Sequence, residues 1–93
     1  MKALISAGLL AVGSVVAAAP AHADAAQYLQ LLDGKYSYLS EQQLLAEGYK
    51  VCTAFHQGAI SSSVVNMVQQ DLGGVSTAVA IDVVGSAADG LHC

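Results

Sequence analysis

The stretch SEQQLLAEGYKVCTAFHQG, residues 40–58, decides the fold class. Ser40 and Gln43 form a capping box: the serine oxygen accepts from a free N–H of the first helical turn, and the glutamine side chain answers the cap's own N–H. Leu39 and Leu44 flank the box as a hydrophobic staple. Leu44, Leu45, Gly48, Val51, Cys52 and Phe55 then recur three and four apart, a single stripe of a 3.6-residue period, and Gly58 stops it. Glu47 and Lys50 are assigned to the opposite face, three apart, in position for a weak ion pair. A glycine inside a helix costs about 1 kcal/mol relative to alanine, so Gly48 within the stripe predicts a close helix crossing.

The same punctuation recurs on both sides. Asp24, with Gln27 three residues on, predicts a short helix over Asp24 to Asp33 that ends at Gly34 and carries Tyr28, Leu29, Leu31 and Leu32. A connector runs from Gly34 to Leu39. Beyond Gly58, Ile60 and Val65 repeat the staple around Ser61. Ser61, Ser62 and Ser63 read as helix-start residues whose side chains meet free backbone donors. Val64, Val65, Val68 and Leu72 form the third stripe, with Asn66, Gln69 and Gln70 outside, and Gly73-Gly74 stops it. The fourth segment starts at Ser76. Its Val79, Ile81, Val83 and Val84 suit strands as well, but a lone strand has no sheet to join. Val79, Ala80, Val83, Val84, Ala87, Ala88 and Leu91 make a broad helical face, and Asp82, Ser86 and Asp89 its polar row. That row would leave Cys93 on the wet side, so Gly90 is expected to break or bend the last turn. The expectation is an all-α fold: a small four-helix domain over residues 24–93, with no repeat and no linker.

Residues 1–23 read as a signal peptide. Met1-Lys2 supplies a positive start, Leu9 to Val16 the apolar centre, and Ala21-His22-Ala23 the small-residue pattern before a cut at Asp24. A membrane span needs about 20 predominantly apolar residues, and Gly8, Gly13, Ser14 and Pro20 weaken that reading. Asp24, not a cysteine, follows the cut, and no arginine pair precedes the apolar run, so the general secretory route is expected. The mature chain would be secreted or held in the cell envelope, with no membrane span. It carries all seven acids against Lys35 and Lys50 alone, a formal charge of −5. Two scattered lysines and no arginine make no basic stripe for phosphates or anionic lipid, so nucleic acid is excluded as a partner class. Small exported domains commonly use a staple. Cys52 and Cys93 are the only cysteines, and an oxidising compartment favours one intramolecular disulfide between them.

Several pieces together resemble small exported actinobacterial, chiefly mycobacterial, proteins carrying the domain of unknown function 732. They are the short helix Asp24 to Asp33, Gly48-Tyr49-Lys50-Val51-Cys52 as a G-x-x-V-C core, Gly58 followed by Ser61 and Val64-Val65, and Val75-Ser76 leading to Cys93. The resemblance implies a small helical domain with a disulfide from the second helix to the C-terminus. Members often carry proline near turns, and this chain has none after Pro20. No activity or ligand is implied.

The chemistry in view is sparse. No serine, cysteine or threonine sits in a nucleophile-and-base pattern, and Asp82 and Asp89, seven apart on one face, read as solvated carboxylates rather than an acid and base. No catalytic residue, cofactor or metal site is therefore assigned. Cys52, His56, His92 and Cys93 would offer zinc a ligand set if reduced, but the spacing matches no standard finger. Tyr36 and Tyr38, within a group completed by Tyr28 and Tyr49, are the candidate interface, because tyrosine presents apolar area with a polar tip. The reading is an exported, non-catalytic binding or structural module for an unknown protein or envelope component. A small carrier of a lipid-like apolar ligand and an unrecognised enzyme are the alternatives.

Overall fold

The computed structural model describes residues 23–93, which form four helices and no strand. They are α1 (described over 23–31), α2 (Glu41–His56), α3 (Ser61–Asp71) and α4 (Thr77–Gly90). The signal-peptide reading falls, apart from Ala23, outside the described residues. Asp24 lies inside α1 instead of capping it, and the helix ends two residues short of Asp33.

Both serine caps around α2 and α4 form. Ser40 Oγ accepts from the Gln43 N–H at 3.0 Å while Gln43 Oε1 accepts from the Ser40 N–H at 2.9 Å. Ser76 Oγ accepts from the Val79 N–H at 3.2 Å. At α3 the three serines open the helix as expected, but the cap position falls on Ile60 and no side-chain cap bond forms. The staple around Ser61 shifts with it, because Val64, not Val65, now stands four residues inside the cap.

Helices α3 and α4 form an antiparallel hairpin. Its tight turn runs through Gly73 and Gly74, both in the left-handed region at φ 82° and 83°, where a side chain would be strained. Gln69 spans the turn, donating from Nε2 to the Val75 carbonyl and to Thr77 Oγ1, each at 3.2 Å. Helix α2 packs on both hairpin members. Val51, Val64, Val68, Ala80, Val83 and Ala87 fill the space between them and are essentially inaccessible.

Tyr28 anchors helix α1, with Leu29 packed against the core beside it and Leu32 buried just past its end. Tyr28 is fully buried, and its hydroxyl donates to the Leu44 carbonyl of α2. Its ring fills the place where a side chain on Gly48 would stand: a Cβ there would lie 2.7 Å from Cζ of the ring. The close crossing at Gly48 is therefore present, with α1 as the crossing element. Gly90 is the last residue of α4, so the helix stops there as expected. It is also buried, and a Cβ there would lie 2.5 Å from the Tyr28 Cα. The reversal after α4 is made at His92, a non-glycine residue at φ 61°. Cys93 then reaches Cys52, with Cα atoms 5.2 Å apart. For the 41-residue separation of this bond, loop-closure entropy in the unfolded chain gives a stabilisation of about 4 kcal/mol.

Two polar residues assigned to solvent lie inside. Glu47 is 6% exposed and Ser86 7%. Lys50 pairs with Asp71 of α3 at 2.7 Å rather than with Glu47. The reason is phase: Glu47 sits three residues after Leu44 and four before Val51, squarely on the buried stripe.

Candidate binding surfaces

The hairpin carries an open groove of 590 Å³ on its outer side. One wall is a row on α3, Ser61, Ser62, Val65, Asn66 and Gln69, spaced so that successive residues share a face. The other is Thr77, Ile81, Val84 and Gly85 on α4, running the opposite way. No lining residue is charged, in a chain rich in acids. Ile81, 56% exposed, forms an apolar lip. Gly85 is exposed mid-helix, and a Cβ there would meet nothing within 4 Å. Its own fold gives this glycine no neighbour to accommodate, so its helical penalty of about 1 kcal/mol goes unrepaid within the molecule. Its effect is to leave the groove floor bare. The size falls in the range of ligand clefts, and hydroxyl and amide groups on an apolar floor are the usual lining.

The tyrosine surface splits. The Tyr36 hydroxyl donates to Asp82 Oδ2 at 2.6 Å, beside Lys35 Nζ at 3.3 Å from the same oxygen. Donation to the carboxylate, with some burial and the negative charge of Asp82, pushes the Tyr36 phenol up to about 12. Tyr36 thus ties the α1–α2 connector to α4. Tyr38 packs edge-on against it, ring centres 6.3 Å apart, and remains 65% exposed. The two are brought together, but only Tyr38 presents its ring to solvent. Tyr28 is core, its phenol raised by burial and by the nearby Glu47 charge, and Tyr49 is half exposed.

The disulfide gathers both histidines. Cys52, Cys93, His56 and His92 line a shallow pocket of 180 Å³ with Asp24, Tyr49 and Leu91, and His92 Nε2 stands 3.6 Å from Asp24 Oδ1. Both sulfurs are bonded to each other. Among the described residues no cluster of three histidine, cysteine or carboxylate groups is placed to hold a metal. Asp82 and Asp89 are not brought together, Asp82 being bonded to Tyr36 and Lys35. No described helix is long and apolar enough to cross a membrane.

Sequence reading missed the groove and Glu47. For the groove the available signal was Gly85, a mid-helix glycine between apolar neighbours with no turn to make. Neither a curated protein nor a solved structure matches the chain. The family model described as a protein of unknown function, DUF732, matches residues 23–93, well over half of the sequence, and the chain belongs to that family.

Proposed function

We propose that the chain is a non-catalytic binding module of the cell envelope or the medium that docks an apolar, uncharged segment of a partner along the α3–α4 groove. The observation that carries this reading is Gly85: a glycine that nothing inside the fold requires, set in the floor of an uncharged groove. Such a gap lets an incoming chain approach the helix backbone closely, as small residues do at helix contacts. The order of residues 1–23, positive start, apolar centre and A-x-A end, supports export. A carrier that encloses a free lipid-like ligand has less support, because this groove is open to solvent and the core behind it is filled by Val64, Val68 and Val84.

The test uses an uncharged alkyl probe, dodecyl maltoside below its micelle concentration, followed by amide chemical shifts. The reading expects saturable shifts at Ser62, Val65, Ile81 and Gly85, and their loss in Gly85→Leu, whose side chain fills the floor. Shifts confined to Tyr38 and Tyr49, or none at all, would overturn it.

A further inference from the structure

Glu47 is the one carboxylate that the fold takes inside. It is 94% hidden, the complement of its 6% exposure, and its Oε2 is sealed from solvent with no hydrogen-bond donor. From α1 it faces Tyr28, whose hydroxyl is committed to the Leu44 carbonyl. From α3 it faces Asp71, within hydrogen-bonding reach. On its own helix Lys50 lies one turn on, but its ammonium is given to Asp71 at 2.7 Å. The acids of α4 are elsewhere: Asp82 holds Lys35 and Tyr36, and Asp89 is exposed. An ionised Glu47 therefore has a like charge beside it and too few donors. A protonated Glu47 has a donor, and Asp71 is an acceptor.

We propose that Glu47 is a proton-operated latch between α2 and α3. Holding its proton, it donates to Asp71 and closes the joint; on losing it, a buried carboxylate is set against Asp71 and the end of α3 leading into Gly73-Gly74 loosens. The electrostatics agree with this geometry. Burial, then the Asp71 carboxyl, push Glu47 up to about 7, while the bond from Lys50 holds Asp71 below the usual carboxylate range.

The two acids act in opposite directions. Glu47 is raised from 4.5 in the unfolded chain, so between pH 4.5 and about 7 the folded state keeps a proton that the unfolded state releases. Its stabilisation is full below that window and falls as pH rises through it. Asp71 is lowered from 3.8, so its contribution is present above that value and is lost only in stronger acid. The folding constant should fall about a hundredfold from pH 4.5 to pH 8, as follows from the displacement of one group from 4.5 to about 7.

The decisive measurement is a carbon-13 carboxyl titration of the protein, with Glu47 expected to turn over near pH 7; a midpoint near 4.5 would overturn the latch. It needs no variant, so it stands even where a substitution fails to fold. Urea unfolding across the same range should show the slope in the natural chain and lose it in Glu47→Gln, which keeps a donor toward Asp71 but cannot ionise. An unchanged slope in that variant would sink the proposal. Asp71→Asn should lower the Glu47 midpoint. Amide exchange from Gln70 to Gly74 should accelerate between pH 5.5 and 8 beyond the intrinsic base-catalysed increase; a purely intrinsic rise would reject the loosening. None of these outcomes depends on what the groove binds.

Discussion

Helix α4 carries two glycines within six residues of each other, and they live in opposite surroundings. Gly90 lies against the backbone of α1, where a Cβ would come within 2.5 Å of the Tyr28 Cα. Gly85 looks into open space. Gly48, across from Gly90 on α2, belongs with the filled kind, since the Tyr28 ring and Leu91 stand in its side-chain position. A helical glycine costs about 1 kcal/mol wherever it sits. At the Tyr28 seam that cost is returned as close packing of a fully buried aromatic, whereas at the groove nothing in the chain returns it. The contrast teaches that one residue type, at one backbone cost, marks an internal joint in one place and an unfilled face in the other.

Substituting each glycine by alanine breaks or sharpens the contrast. The largest effect is expected at Gly90, because the atoms in the way are backbone and no rotamer change clears them. Gly90→Ala should destabilise by about 3 kcal/mol or more, the upper end for overpacking, read as a lower urea midpoint, with the Tyr28 resonances losing their buried shifts. Gly48→Ala comes second. Its obstacles are the Tyr28 ring, held by the Leu44 carbonyl, and the movable Leu91 side chain. A loss of about 1–2 kcal/mol is expected, part of the strain being offset by better helix propensity. Gly85→Ala is smallest and has the opposite sign, a gain of up to about 1 kcal/mol, seen as a melting temperature higher by a few degrees. A loss at Gly85 would show that the groove floor is occupied from within the fold, and the contrast would collapse.

Much of the fold was legible because its signals are local. The Ser40–Gln43 box and the Ser76 cap start helices where the sequence reading places them, since a cap needs only its own first turn. The pairing of Cys52 with Cys93 followed from there being two cysteines. The misreadings share a cause. Glu47 and Ser86 each lie in phase with the apolar stripe of their helix, yet residue type outranks phase in the reading and sends both to solvent. At α3 the order was reversed. Three serines invited a cap reading, but the chain uses the backbone of Ile60 and leaves their side chains outside, two of them along the groove. The groove itself was not legible, because its walls face each other only after an antiparallel hairpin sets 62 opposite 85 and 69 opposite 77. Tyr36 and Tyr38 were found as neighbours, but the tie from Tyr36 to Asp82 joins residues 46 apart, and no local pattern encodes it.

The Tyr28 seam also imposes an order of events. Its walls come from α2 and α4, so the slot does not exist until those two helices lie side by side. Within the described residues, helix α1 contributes one fully buried side chain, Tyr28, and that side chain has no place to go until the slot exists. The α3–α4 hairpin, by contrast, closes across a short turn and makes its contacts locally, which favours early formation. Assembly therefore runs from the hairpin, through docking of α2, to α1 as the last piece placed. Opening runs the other way: the first partial unfolding unit is α1 alone, and its departure bares the glycine seam while the valine core is still shut.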